Sequence, residues 1–500
     1  MRLFAALTAG LLTALTVQGV ATAQDESPAV EKPRMEAAAK NVRLRTVLPG
    51  TERAISIAFM QYGRKDVAFV SGQFGLKSFD VTDVDHPKLL DHLTNNELAL
   101  PGDDPAKGFW ENEDLNVDPR RRLVFMAREM STFGQDKPTG VYLLSALDPA
   151  DLRMMSFQQL HTGHITSCVN NCDYLWTTGF DGSDEKQGRV YVTDIRDPRN
   201  PKTLPVKVDL RGKPGQDKVT HDVQVDAQGV AWVAGDGGTR GYWTDGWRRD
   251  PLTGEHRRAT ADNPVPYAGG AVPKLDMPTS FTHNSFRPVG TRLADGPLPT
   301  KENPAGSLLL HTEEAFGDPT CKDQGRFVIS SLKGTENGEG WGENPKEMKT
   351  VGVWSPDDQE GTLPGSDTFC SAHYFDVRKR IVAYSWYEQG TRFLDISNPA
   401  KPIQIAYWRP DGAVSFAPYW HGDSLFLADL SRGVEILTLT KDAHAAQESG
   451  TNVQLVTTPS KVKAGRSNGE RLPLVPDPVY GRGCPMMAGR DGKCGPGSCC

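Results

Sequence analysis

Beyond Val20 no stretch of this chain is long and apolar enough to span a bilayer, which takes about 20 consecutive apolar residues. The chain has no basic excess: 56 Lys and Arg stand against 63 Asp and Glu, a net charge of −7. A nucleic-acid binder normally concentrates basic residues on one face, and no such run exists. Amphipathic helices of ordinary length are missing, which excludes a helical bundle. So are the G-x-S-x-G elbow, the H-E-x-x-H helix, the phosphate loop and the EF-hand loop. Histidine is scarce, at 11 of 500 residues, so where it falls carries information.

What the chain does have is 50 Gly, 36 Pro and 38% hydrophobic residues, a composition of short strands and many turns. It opens with a secretory pattern. Arg2 precedes an apolar run from Leu3 to Val20, and Ala21-Thr22-Ala23 is an A-x-A cleavage site. An uncleaved anchor is the alternative. With residues 1–23 read as a signal peptide, the mature chain is expected to be secreted or held at the cell surface, with no transmembrane segment after cleavage. Residues 24–43 read as a flexible leader and 441–483 as a polar linker.

Eight cysteines suit an oxidising compartment. Cys168 and Cys172 flank Val-Asn-Asn, a natural turn, and are expected to bridge locally. Cys321 and Cys370 are the remaining pair of the body, by elimination. Cys484, Cys494, Cys499 and Cys500 form a tail, residues 484–500, whose cysteines pair with one another in an order the spacing leaves open. A zinc knuckle is the alternative for that tail.

One phrase recurs. It reads GLKSFDVTDVDHPK at Gly75–Lys88, GRVYVTDIRDPRNPK at Gly188–Lys202 and GTRFLDISNPAKP at Gly390–Pro402, with a degenerate copy at Arg432–Leu439. Each copy is a glycine turn, an apolar strand ending in Asp, and a Pro-bearing turn. Seven apolar segments preceded by polar turns align with this repeat: Asp66–Ser71, Leu123–Ala127, Tyr174–Thr178, Val230–Ala234, Leu308–Thr312, Ile381–Ser385 and Leu425–Ala428. Seven small sheets cannot each bury two faces alone, but arranged radially they cover one another and leave only short edges. The expectation is an all-β, seven-bladed β-propeller over residues 44–440, with an open pair of sandwiches as the alternative. Insertions are expected at Arg240–Pro273, Arg287–Gly306 and Lys333–Gly365. The repeat phrase resembles the LVIVD-repeat proteins, bacterial and archaeal propellers usually found outside the cytoplasm. That resemblance implies the fold and no single activity.

Ten to twelve residues before the centre of each aligned segment, where the innermost strand of a blade begins, five consecutive units place Glu113, His164, His221, His283 and His373. Units one and seven place about Ala58 and Ser415 there. Equivalent positions of a propeller ring the central channel, so these side chains should converge. Imidazoles with one carboxylate are a transition-metal donor set, suited to Cu, Fe, Zn or Ni. Without a metal, the same histidines would cap strands or hydrogen-bond across a wet channel. A second column, just past the aligned strand, holds Glu129, Asp236 and Glu314, which could accept the outer ring N–H of the histidines. His311, within a strand, reads as structural. Trp243, Trp247 and the arginines of Arg240–Arg258 read either as a ligand lip over the channel mouth or as a loop packed on the neighbouring blade.

Three function classes follow: a secreted binding or scaffold propeller, with or without a structural metal at its channel, a metal-dependent oxidoreductase or hydrolase with its site at the channel mouth, and a surface protein that only presents loops. Propellers with four-histidine centres, such as the carotenoid-cleaving oxygenases, are analogous in geometry alone. The expected partner is a small molecule or a protein at the channel face, and the expected state is monomeric.

Overall fold

In this computed structural model, the described residues are 37–448 except 111, 180–188, 206–207, 210–219, 236–237, 252, 268–279, 289–305, 316–324, 333–348, 358 and 364–369. They form seven antiparallel sheets of at least four strands in consecutive order, one per repeat. The inner strands are Ala54–Tyr62, Asn116–Asp118, Ile165–Val169, Thr220–Val225, Ser280–Phe286, Phe375–Arg378 and Ser415–His421. The second strands are Lys65–Gly72, Leu123–Arg128, Tyr174–Thr178, Val230–Gly235, Leu308–Ala315, Ile381–Ser385 and Ser424–Asp429, so each segment aligned in the sequence is a second strand. The chain is a seven-bladed β-propeller.

The recurring phrase has a local explanation. Its Asp ends the third strand and caps the turn that follows. Asp80 Oδ1 accepts from Thr82 N at 3.1 Å, Asp194 Oδ1 from Arg196 N at 3.0 Å and Asp395 Oδ1 from Ser397 N at 2.8 Å. Its glycine opens that strand with a left-handed φ, +98° at Gly75 and +73° at Gly390. A Cβ there would meet the Leu93 or Trp408 carbonyl oxygen at 2.5 or 2.4 Å.

Apolar packing is divided among the seams between blades. Seven buried clusters occupy the seven seams. That between blades five and six stacks Trp354, Tyr384 and Trp386, and that between blades six and seven packs Phe393 on Trp420. Packing of this kind leaves the axis to other groups.

The expected leader ends earlier than 43. Ala38–Lys40 adds a fifth strand to blade six, and Val42–Val47 pairs with Gly433–Leu439 as the fourth strand of blade seven. An N-terminal strand therefore closes a sheet built from the C-terminal end. Residues 441–448, expected in the linker, form a short helix, and Lys349–Trp354, expected inside an insertion, is the fourth strand of blade five. The Cys168–Cys172 disulfide is present, and Cys370 is disulfide-bonded. Cys321 and the four tail cysteines lie outside the described residues, as do the signal sequence and most of the two blade-five insertions. Among the described residues no helix is long and apolar enough to cross a membrane.

The blade-four insertion is a hairpin of Trp247–Arg249 and His256–Arg258. It sits against the Asn170 turn of blade three, where Asn170 Nδ2 donates to the Thr244 carbonyl at 2.8 Å and Thr244 Oγ1 donates to Asn170 Oδ1 at 2.7 Å. That turn follows the inner strand Ile165–Val169, whereas His164 precedes it. The hairpin is therefore at the opposite end of the blades from the histidines and is no lip over them.

Ring closure by Val42–Val47 is open to test. Deleting residues up to Leu48 should lower the thermal midpoint by at least ~10 °C, the scale of several kcal/mol lost from a domain this large. Circular dichroism melts read the change. A deletion that melts with the full chain would show that the strand does not close the ring.

Candidate metal centre

The register of the inner strands puts the candidate ligands in one structural slot. In blade four, Thr220 pairs with Gly235 and Val223 with Val233, so His221 and Asp222 face Ala234 together. In blade five, His283 and Asn284 face Thr312 in the same way. These are β-bulges, which add one residue and re-aim the side chain that carries it. His164 and His373 lie just before their inner strands, where their N–H groups reach the carbonyls of Thr178 at 3.2 Å and Ser385 at 3.0 Å. The same bulge occurs at Ile55 in blade one and Phe416 in blade seven. These two residues, not Ala58 and Ser415, fill the slot there. Counting along the sequence missed them because a bulge is invisible in it and the inner strand of blade one is nine residues long.

The five polar residues converge. Glu113 Oε2 lies 3.1 Å from His164 Nε2, 3.4 Å from His221 Nε2 and 3.4 Å from His283 Nε2; Glu113 Oε1 lies 3.5 Å from His373 Nε2. The Nε2 atoms of His164 and His221 are 2.8 Å apart. Neighbouring rings follow one another around the axis, with centroids 4.5, 4.2 and 4.1 Å apart from His164 to His221, His283 and His373. His283 and His373 are fully buried, His221 nearly so, and the His164 side chain keeps 13% of its surface.

The outer ring nitrogens decide what faces inward. His221 Nδ1 meets the His283 carbonyl at 3.0 Å, His373 Nδ1 meets the Phe416 carbonyl at 2.8 Å, and His164 Nδ1 meets the Glu129 carboxylate. Carbonyl and carboxylate oxygens only accept, so each Nδ1 carries the hydrogen and, in the neutral ring, Nε2 presents a lone pair. Three such lone pairs point at a carboxylate that also only accepts. Among the described residues His373 Nε2 makes no hydrogen bond. Acceptors facing acceptors need a proton or a metal ion between them.

The electrostatics follow from this crowding. Burial pushes the Glu113 carboxyl up, but the charges of His164 and His373 outweigh burial and hold it well below the usual range. Burial lowers His164, but Glu113 and Glu129 on either side raise it well above an ordinary histidine. A proton on His164 thus answers the demand when no metal does. Burial, then neighbouring imidazoles, push His221 well down and His283 to about 3. Burial and the nearby Glu113 hold Glu314 well above the carboxylate range.

The second column divides. Glu129 orients His164 as expected. Glu314 stays 3.6 Å from His283 Nε2 and 4.0 Å from His373 Nε2, and accepts from the Tyr387 hydroxyl. Asp236 lies outside the described residues. His311 is buried with its Nε2 2.9 Å from Ser330 Oγ, away from the axial cluster. Sequence reasoning missed Tyr374, whose hydroxyl donates to Glu113 Oε2 at 3.3 Å, and Tyr387. Tyr387 stands two residues past its second strand, in the column of Glu129 and Glu314, and that alignment could have found it. The orienting carbonyls of His283 and Phe416 left no trace in the sequence.

The donor spacings are of the size that a metal ion needs. Donors about 2.0–2.1 Å from a metal lie roughly 2.9 Å apart at right angles and about 3.4 Å apart at the tetrahedral angle. The spacings of 2.8 to 3.5 Å among Glu113 and the four histidines are of that size. Three overlapping triads have their donor atoms within 4.8 Å of one another: Glu113, His164, His221; Glu113, His283, His373; and His221, His283, Glu314.

No protein-family profile matches this chain, and no curated protein does. The LVIVD-like phrase therefore stands as a resemblance, while the propeller stands on its strand pairing. Solved structures with a similar course include the periplasmic gluconolactonase of Pseudomonas aeruginosa, with TM-score 0.41 and 11% identity over 70% of this chain and 85% of that one. The β-propeller domain of Cps50 (Swd1) from Myceliophteria thermophila gives 0.45 and 11% over 79% and 99%. A protein from Lactobacillus plantarum gives 0.42 and 10% over 77% and 96%. At such distances they carry no argument about activity.

The buried histidines set a pH dependence. His221 and His283 have folded pKa values below the unfolded value of ~6.5. Their contribution to stability is whole above pH ~6.5 and is lost as pH falls, towards about 3 for His283. His164 has the opposite sign: its contribution is present below pH ~6.5 and is lost as pH rises through its raised value. In chelator-stripped protein, replacing His221 and His283 by Gln should flatten the acid limb between pH 6.5 and 4. The limit is about 1.4 kcal/mol per pH unit for each histidine. Urea unfolding across that range measures it, and parallel slopes for wild type and variant would contradict the assignment.

Proposed function

We propose that this propeller is an exported metal-binding protein that holds one transition-metal ion on its axis, ligated by His164, His221, His283, His373 and Glu113, with the seven blades as its scaffold. The observation that carries the proposal is the set of Nδ1 bonds to Glu129 and to the carbonyls of His283 and Phe416, which turn the Nε2 lone pairs towards Glu113. Second partners of this kind fix the tautomer of metal-bound histidine. The donor spacings include both the right-angle and the tetrahedral size, and nitrogen-rich ligation suits Cu, Fe, Ni or Zn alike. Export is supported by the secretory pattern at the N-terminus and by the Cys168–Cys172 disulfide. The small-molecule or protein partner expected at the channel face belongs to this proposal, as does the monomeric state.

A second reading, a metal-dependent oxidoreductase, is favoured by one feature. Glu314, whose carboxyl is raised well above the carboxylate range by burial and by Glu113, and the Tyr374 and Tyr387 hydroxyls stand beside the donor set. Proton donors next to a metal suit the reduction or activation of a small molecule. The His164–Glu129 edge, with 13% and 25% of the side chains exposed, is the more open side of the cluster.

Metal analysis of the purified chain should find about one equivalent of a single transition metal, retained after dialysis, as a preorganised buried site requires. His221→Ala and His283→Ala should each lose most of it while keeping the wild-type circular dichroism. Full metal content in both variants, or no metal after reconstitution with Cu, Fe, Ni and Zn salts, would sink the proposal. For the second reading, azide added to the loaded protein should shift its visible or paramagnetic spectrum, and a centre that takes no added ligand rules that reading out.

A further inference from the structure

A second cavity of about 270 Å³ lies between blades three and four, at the other end of the inner strands from the metal centre. The six residues from His164 to Asn170 separate the two by about 20 Å along an extended strand. The cavity has room for roughly nine waters at ~30 Å³ each, which is enough for a small organic ligand.

Its walls are built. One is the turn Asn170-Asn171-Cys172, three successive residues with φ of 52°, 58° and 56°. The Cys168–Cys172 disulfide ties the turn, and Arg120 and Arg121 donate to the carbonyls of Asn171 and Cys172. The opposite wall is the blade-four hairpin, where the Arg248 guanidinium lies over Trp243 at 3.8 Å from the ring centre. Asn171 Oδ1 and Arg248 Nε are buried atoms without a hydrogen-bond partner among the described residues. One is an acceptor and one a donor, and both belong to side chains lining the cavity. Asp173 and Asp245 offset Arg248 and Arg258, so the lining has no net charge.

We infer that this cavity is a binding site for a neutral saccharide. Sugar hydroxyls both donate and accept, which matches a wall that mixes carboxylates, carboxamides and guanidinium groups. The Tyr174 ring supplies an apolar face for the C–H side of a pyranose. An ionised ligand of either sign would meet like charges at one pair of residues. The site is independent of the metal centre, and through it the protein engages glycans by the face opposite the histidines.

Calorimetry and saturation-transfer NMR on the full mature chain test it, with glucose, galactose, mannose, N-acetylglucosamine and cellobiose as probes and galacturonate and inorganic phosphate as charged controls. At least one neutral sugar should bind saturably. Arg248→Ala and Asn171→Gly should each weaken it at least tenfold; glycine keeps the left-handed turn while removing the carboxamide, so the fold is spared. Unchanged melting curves confirm this. His221→Ala should bind the sugar as wild type does, which separates this site from the metal centre. No saturable binding by any neutral sugar, binding that survives both variants, or preference for galacturonate or phosphate overturns the inference.

Discussion

Each blade has two apolar faces, and only its two neighbours cover them. That constraint organises the whole molecule. Hydrophobic burial is spent at seven seams, and the seam between blades seven and one forms only when the last blade meets the first. Val42–Val47 supplies that completion by pairing with Gly433–Leu439. The seam between blades seven and one brings Ile55, Phe416, Tyr419 and Phe426 together, from opposite ends of the chain. Long-range pairing of this kind is slow to form, but it removes the exposed edge that an open array would present.

Because the seams take the apolar residues, polar groups can reach the axis. Converging there is costly for a buried charge unless partners are in place. The chain meets this requirement unevenly. Five blades contribute Glu113 and the four histidines, and the two blades at the closing seam contribute Ile55 and Phe416. His373 lies 3.9 Å from the Phe416 ring between centroids, and Tyr374 and Tyr387 join the same apolar cluster. One side of the donor set is therefore a low-dielectric wall, which strengthens every electrostatic interaction beside it. The other side, at His164 and Glu129, meets solvent. The site has a direction that the rotational repeat alone would not give it.

The repeat was legible because its causes are local. A glycine with a left-handed φ and an Asp that caps its own turn act within a few residues, so they recur as letters in a fixed phrase. The second strands were legible through their apolar runs. The donor set was legible because rotation carries one slot onto the next, and a scarce residue falling repeatedly in that slot stood out. Ala58 and Ser415 were misplaced because a bulge shifts the slot without changing composition. The hairpin at Trp247–Arg258 was assigned to the wrong face as one option, since loop composition does not say which end of a blade the loop leaves. Ala38–Lys40 and the first two residues of Val42–Val47 were read as leader because their partners, Ile403–Arg409 and Gly433–Leu439, lie at the far end of the sequence.

Sequence by itself determined the number of blades, the identity of the second strands and the five polar residues that share one position, because each depends on short-range chemistry repeated from blade to blade. Only the tertiary structure decided which imidazole nitrogen carries the hydrogen and which residues close the ring at Ile55 and Phe416. It also decided that the carbonyls of His283 and Phe416 hold their neighbours' rings. Those outcomes depend on contacts between blades, where the partner is a backbone atom or a distant side chain and the spacing along the chain carries no record of it.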